Sequence, residues 1–443
     1  MRENKLTPRT VLAPEIVTPP VLPAHDIPML EENRAEYEGR VEEFLTRAVE
    51  AVYPSREELQ AALMSGEQMT AYLGVDPTGP DMHIGHESQL HKLRRLQEMG
   101  HKIILLVGDF TAMIGDPSDK TAARKRLSFE QVHENAQSYR DQASKILNFD
   151  DPNNPVDMRF NSEWLGEMSF ADVVDLAAEF TVQQIGQRDM FQRRTAEGKP
   201  TYLHEFLYPL MQGWDSVAMN VDIEVGGNDQ TFNMMVGRDL MKRYRSKNKF
   251  VVAGKMLVDP KGTKMGKSEG NMITMGDDPD AMFRKVMQWG DGMVPSALEL
   301  CTTVSMDEIA DISQRMNDGS LDGHTAKMML GRTLVTELHS SDDAKNAQES
   351  YERILTGELN EDEITEFQIS TGQSVVDVLV ASGLASSKRD ARTLISQGGV
   401  RLDGVVLDDI DLIVDAPETV LRVGKGNKIR RIVTTSQLIV YNE

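Results

Sequence analysis

The sequence predicts an α/β protein: a parallel-sheet domain carrying a helical insertion, then an α-helical domain, then a small α+β unit. Three observations predict it. First, "TAYLGV" (70–75) and "KIILLVGDFTA" (102–112) are apolar runs that read as buried strands. Between them, residues 85–100 place Leu90, Leu93 and Leu96 on one helical stripe that stops at Gly100. Strand, helix and strand within about 45 residues form a βαβ unit, which requires parallel pairing. Second, "VDIEVGG" (221–227) and "KFVVAGKMLV" (249–258) read as further strands around a helix at 231–244. Third, residues 277–359 show helical periodicity alone, whereas residues from Ser374 onwards give two short helices and a strand with an Asp-Gly turn, "VRLDGVVL".

In chain order, residues 1–36 form an arm in which Pro8, Pro14, Pro19, Pro20, Pro23 and Pro28 forbid a regular helix. Glu36 to Val52 reads as an amphipathic helix, with Tyr37, Val41, Phe44, Leu45, Ala48, Val49 and Val52 on its apolar face. The sheet domain spans 37–276, and its segment at about 125–215 is mostly helical and reads as an insertion. The helical domain covers 277–359, an acidic linker 360–373, and the α+β unit 374–443. No internal repeat is visible.

A chain of 443 residues is too long for one core. No apolar run approaches the roughly 18–20 residues a membrane helix needs, and the prolines after Arg2, Lys5 and Arg9 break up any secretory signal. The single cysteine, Cys301, excludes an internal disulfide framework and argues against a cysteine zinc site; a reducing cytoplasm is expected. A net charge of −22 argues against a general nucleic-acid binder. The charge is uneven, however. Ser374 to Glu443 holds nine Lys/Arg and nine Asp/Glu, so the whole acidic excess lies before it, and this last unit is the place to expect RNA contacts.

Two short motifs carry chemistry. His83-Ile84-Gly85-His86 follows a strand and turn and opens a helix. A helix N-terminus favours anions, and two imidazoles there can donate to a phosphate, while Gly85 leaves room for a flat base against the backbone. The alternative is a pair of histidines that only cap the helix. Lys264-Met265-Gly266-Lys267-Ser268 follows the last strand. A loop with two ammonium groups can close over a triphosphate; the alternative is a solvated basic loop. A zincin reading fails, since His91 lies at i+5 from His86. A P-loop reading also fails, since Gly262 to Ser268 has one residue too few.

Together, H-I-G-H and K-M-x-K-S on an α/β chain resemble the signature of class I aminoacyl-tRNA synthetases, which implies a Rossmann-like catalytic domain. The resemblance sharpens to the tyrosyl family in "YLGVDPTGPDMHIGH" (72–86), "GDPSDKTAAR" (115–124), "NSEWL" (161–165), "YPLMQGWD" (208–215) and "GGNDQTFN" (226–233), which follow that family's order from about 37 to 443. It implies a ligase that activates L-tyrosine with ATP and transfers it to tRNA(Tyr). Tyr72 and Asp215 would meet the phenol. Thr111, Asp116, Tyr208 and Gln212 would surround the amino group, with Asp76 and Gln230 nearby. Tyr208, Gln212 and Asp215 stand at i, i+4 and i+7, so one helix face can present all three. Gly74, Gly85, Gly227, Asp229 and Met265 would hold the nucleotide. Thr78, His83 and His86 would meet phosphates, and Lys120, Arg124, Lys264 and Lys267 would neutralise pyrophosphate. Mg²⁺ would arrive with ATP, no resident metal is expected, and the family implies a homodimer built through the insertion. Gly266, Asp119 and Leu73 depart from the family's usual residues, and Asp119 adds a negative charge beside the pyrophosphate group.

From Ser374, "SSKRDARTLISQGGVRLDG" resembles an S4 RNA-binding domain. Lys388 and Arg392 share a helix face with Arg389 one step round, and Lys425, Lys428, Arg430 and Arg431 follow. The helical domain would read the anticodon. Three rivals remain at this stage: a tryptophanyl synthetase, against which Tyr72 and the last unit argue; an RNA-binding scaffold that has lost adenylate chemistry; and a nucleotidyltransferase acting on another small molecule.

Overall fold

The computed structural model describes residues 33–117, 127–258, 272–356, 366–424 and 428–435. The chain divides into two compact units, Met1–Ala344 and Lys345–Glu443.

The first unit is built on a six-stranded sheet: β1 (Val49–Tyr53), β2 (Thr70–Val75), β3 (Lys102–Val107), β4 (Asp157–Phe160), β5 (Ile223–Gly227) and β6 (Phe250–Gly254), in the order β1-β6-β5-β2-β3-β4. All neighbours are parallel except the β1–β6 edge pair. Helices cover the sheet, so its inner strands are apolar along most of their length; every residue from Ile103 to Val107 is buried. The chain steps from β2 to β3 and β4 on one side, then returns to β5 and β6 on the other. That reversal opens a crevice at the carboxyl ends of β2 and β5, where open parallel sheets bind ligands.

Three boundaries differ from the sequence reading. The first helix is Arg34–Thr46, not one continuing to Val52: Ala48 adopts φ +54°, and the chain leaves as β1. The β-branched Val49 and Val52 that fitted a helical stripe instead serve a pleated edge. The strand expected over 102–112 ends at Val107, and Asp109–Ile114 turns into a short helix. The stretch read as a helical insertion also contributes β4, too short to show a period. The helix Ile84–Glu98 ends as expected, with Gly100 at φ +91°.

Beyond the sheet, helices Pro279–Met287, Val294–Cys301, Met306–Asn317 and Gly323–Leu338 match the helical reading of 277–359. Arg47, 1% exposed, ties this region to the sheet domain. Its guanidinium donates to the carbonyls of Leu298, Glu299, Thr302 and Val304 at 2.5–3.1 Å, so it closes the last turn of Val294–Cys301, where carbonyls lack helical partners.

The second unit has a five-stranded sheet: β7 (Glu366–Ser370), β9 (Val400–Leu402), β10 (Val405–Val406), β12 (Glu418–Val423) and β13 (Lys428–Thr435), in the order β10-β9-β12-β13-β7. The short β8 (Gln373–Ser374) pairs with β11 (Ile413–Val414). Helices Val375–Ala381 and Lys388–Ser396 pack on its core with Leu379, Ile395 and Leu421. The Asp-Gly turn is present: Asp403 and Gly404 take φ +47° and +82° between paired Leu402 and Val405. Among the described residues no helix is long and apolar enough to cross a membrane.

Candidate active site

A cavity of about 280 Å³ opens in the crevice. The turn after β2 supplies Asp76, Thr78 and His83 to His86; the segment after β3 supplies Gly108, Thr111 and Asp116. Helix Leu203–Met219 presents Tyr208, Gln212 and Asp215 together, as their spacing requires, and the end of β5 presents Glu224, Gly227, Asp229 and Gln230. Gly74 and Gly85 also line the wall.

Both histidines cap the helix. The Gly85 N–H donates to His83 Nδ1 at 3.1 Å, the His83 N–H donates to His86 Nδ1 at 3.2 Å, and the rings stack 3.9 Å apart. The two readings of this motif are therefore compatible. A ring that accepts at Nδ1 carries its proton on Nε2 in the neutral form, and so remains a donor there. Gly85 has a steric cause: a Cβ would lie 2.9 Å from the His83 ring.

Carboxylates dominate the other end. Asp76 accepts from Thr111 Oγ1 and Tyr208 OH, each at 2.8 Å. Asp116 accepts from Gln230 Nε2 at 2.7 Å and has Arg188 Nη2 at 3.8 Å. A Cβ on Gly108 would fall 2.1 Å from Asp76 Oδ1, so only glycine permits this arrangement. Asp215 accepts from Trp164 Nε1 at 2.7 Å and from Asn161 Nδ2 at 3.3 Å. Burial pushes its carboxyl well above the usual range, and Glu224 and Asp76 add to that. Tyr72 is fully buried, and its hydroxyl pairs with Ser216 at 2.8 Å rather than with Asp215. Burial raises this phenol well above its ordinary value, reinforced by Glu224 and Asp215.

Several residues here escaped the sequence reading. Asn161 and Trp164 sit in the quoted "NSEWL" block, but nothing local pointed them at Asp215. Glu224 interrupts an apolar strand, which is a signal in hindsight. Lys249 and Arg188 are charged yet buried, and only the fold shows this. Lys120, Arg124, Lys264, Met265 and Lys267 lie outside the described residues, as does Lys425.

In the second unit, Lys388, Arg389 and Arg392 stand exposed on helix Lys388–Ser396. Lys388 pairs with Asp377 at 2.6 Å and holds that carboxyl below its usual range. Arg430 lies on β13, opposite Leu421 of β12.

A reversing parallel sheet with this histidine-capped helix defines a class, and comparison with known proteins agrees: residues 64–356 match the family described as tRNA synthetases class I (W and Y), and residues 374–420 match the S4 domain. A Thermotoga maritima protein named tyrosine–tRNA ligase is 41% identical over 373 residues, 84% of this chain and 92% of that one. A Carboxydothermus hydrogenoformans protein of the same name is 40% identical over 403 residues, 88% of this chain and 97% of its own. Among solved structures, a C-terminally truncated mitochondrial tyrosyl-tRNA synthetase from Aspergillus nidulans has a TM-score of 0.61 at 21% identity, covering 74% of this chain and 97% of its own. The Archaeoglobus fulgidus tyrosyl-tRNA synthetase complexed with L-tyrosine has a TM-score of 0.55 at 24% identity, covering 70% and 99%. These two share the fold. The chain belongs to the tyrosyl-tRNA synthetase family.

Proposed function

We propose that this cavity is where the chain, as a tyrosine–tRNA ligase, joins tyrosine to ATP before passing it to tRNA(Tyr). The observation that carries the reading is the division of the cavity into two chemistries. One end gathers the carboxylates Asp76 and Asp116 with Tyr208 and Gln212, suited to an α-ammonium group. The same helix carries Asp215 onward to a site for a phenolic hydroxyl. The other end holds the histidine-capped helix N-terminus and Asp229, suited to phosphates and a ribose.

The tyrosine carboxylate attacks the α-phosphate of ATP in line, forming tyrosyl-adenylate and releasing pyrophosphate. The nucleophile is already an anion, so no protein base is needed, and catalysis is positioning plus charge stabilisation. His83, His86 and Thr78 orient the phosphates. Lys120, Arg124, Lys264 and Lys267 meet the leaving group, and Gly74, Gly85, Gly227 and Met265 pack the nucleoside. Mg²⁺ enters as part of the ATP complex. A 3′-terminal ribose hydroxyl of tRNA(Tyr) then attacks the tyrosyl carbonyl and expels AMP. The helical region after 277 receives the anticodon, and Lys388, Arg389, Arg392, Lys425, Lys428 and Arg430 grip the RNA backbone. The ligase acts in the cytoplasm, as a homodimer. Phe170 and Leu203, 83% and 80% exposed, with Val174 and Val182, are apolar side chains of the insertion that a second copy would cover.

ATP–pyrophosphate exchange run with tyrosine, tryptophan and phenylalanine tests the reading. Exchange with tyrosine alone supports it; exchange with tryptophan, or none from folded protein, refutes it.

A further inference from the structure

We propose that Lys249, Glu224 and Asn233 are positioning residues for the substrate's α-ammonium group, acting through Gln212 and Gln230. The proposal rests on the placement of tyrosine in this cavity.

Lys249 is fully buried, just ahead of β6, with its ammonium paired to the Glu224 carboxylate and donating to Ser216 Oγ at 2.8 Å. Room for it exists because residue 237 is glycine: a Cβ there would lie 2.5 Å from Nζ. A buried carboxylate is tolerated when a cation accompanies it, and Lys249 accompanies Glu224, itself 2% exposed.

From Glu224 a chain of hydrogen bonds runs to Asp116. Gln212 Nε2 donates to Glu224 Oε1 at 3.2 Å. Asn233 Nδ2, on a side chain of zero exposure, donates to Gln212 Oε1 at 2.9 Å and to Gln230 Oε1 at 3.0 Å. Gln230 Nε2 then donates to Asp116 Oδ2 at 2.7 Å. Every amide orientation is dictated. A carboxylate only accepts, so each end of the chain demands an N–H, and both glutamine carbonyls must turn to the Asn233 amino group between them. Gln212 and Gln230 therefore keep their N–H groups on Glu224 and Asp116 and their carbonyls on Asn233, so neither amide swings an N–H toward an incoming ammonium. Without Glu224 held in place, Gln212 is free to rotate and present N–H to a cation. No local pattern announces this network, since its members come from the segment after β3, from β5, from two helices and from the lead into β6.

The test measures binding of three ligands: tyrosine; tyramine, which keeps the ammonium; and 3-(4-hydroxyphenyl)propionate, which lacks it. In Lys249→Met, tyrosine and tyramine should weaken about tenfold or more while the propionate stays within about twofold, with KM for ATP unchanged. Asn233→Ser, which leaves the ion pair intact, should give the same split and decides the matter if Lys249→Met does not fold. Equal weakening of all three ligands would mean a general structural role and overturn the proposal. So would unchanged tyrosine binding in both variants while Asp116→Asn weakens it. If Asp116→Asn also leaves tyrosine binding intact, the placement of the substrate has failed, and the positioning role falls with it.

Discussion

Asn161 bridges Thr111 and Asp215: its single Nδ2 reaches Thr111 Oγ1 at 3.0 Å and Asp215 Oδ2 at 3.3 Å. One buried amide thus joins Thr111 at the cavity wall to Asp215, and Trp164 completes the grip on Asp215 from the other oxygen.

Replacing Trp164 by Phe removes one donor from a buried carboxyl. Leaving a buried carboxyl oxygen without its donor costs about 1–3 kcal/mol. Tyrosine should lose more kcat/KM than phenylalanine in pyrophosphate exchange, because the donor tunes the group proposed to meet the phenol. The stability cost has a pH signature. The Trp164 bond lowers a carboxyl pKa that burial has raised, so its removal raises the folded-state value further. With Asp215 protonated in both states there is little electrostatic difference. The deficit against wild type therefore gains its pH-dependent part only as pH rises through the raised folded-state pKa of Asp215, since below it the carboxyl is protonated in both folded proteins; urea melts at several pH values would record this. A deficit independent of pH counts against this account.

Arg47→Met should destabilise the first unit by on the order of 3 kcal/mol or more, because it strands carbonyls that the guanidinium now satisfies. Thermal melts would show the loss, and limited proteolysis should find the region after 290 opened first. A melt within about 0.5 kcal/mol of wild type, the range of ordinary surface changes, would contradict it.

His101 and His91 set an acid limit. Burial lowers His101 to about 4 and His91 to about 3. Each pKa is lower folded than unfolded, where it is about 6.5. Stability is therefore full above pH 6.5 and falls as pH drops, because the unfolded chain takes up protons that the folded one refuses. His101 Nδ1 accepts from the Met69 N–H at 3.1 Å, and Nε2 faces Tyr37 OH at 3.2 Å. His101→Gln keeps the polar shape without the titration, so its stability should decline less steeply between about pH 6.5 and 4. Parallel pH profiles for variant and wild type would show that the acid loss arises elsewhere.

The elements legible in the sequence are those whose signal is local. β2 and β3 announce themselves as apolar runs, and Tyr208, Gln212 and Asp215 share a helix face by spacing alone. The sequence alone extends the first helix too far because Val49 and Val52 fit both a helical stripe and an edge strand; the choice is made by β6, two hundred residues away, whose Val252 pairs with Val52. β4 has four residues and pairs only at the sheet's margin. In the site, Asp215 was legible but Asn161 and Trp164 were not assigned, since their role is defined by a partner more than fifty residues on. Lys249 reads as one more lysine in "RSKNKF" until the packing of Gly237 shows where its ammonium goes.

The helix Ile84–Glu98 touches two worlds along one rigid rod. Its first turn carries the stacked histidines. Two turns on, His91 Nε2 lies 4.0 Å from Glu337 of helix Gly323–Leu338, and Lys92 donates to the carbonyl of Arg47 at 2.7 Å. A rod transmits displacement without needing a hinge, so a push on the helical region would reach the first turn, proposed to meet phosphates, as a change of tilt. Under this view His91→Phe should lower kcat for tRNA charging while KM for tyrosine and ATP holds; equal loss in pyrophosphate exchange would argue for simple misfolding instead. The helix start proposed to meet ATP would then also be a gauge of whether the nucleic acid is seated.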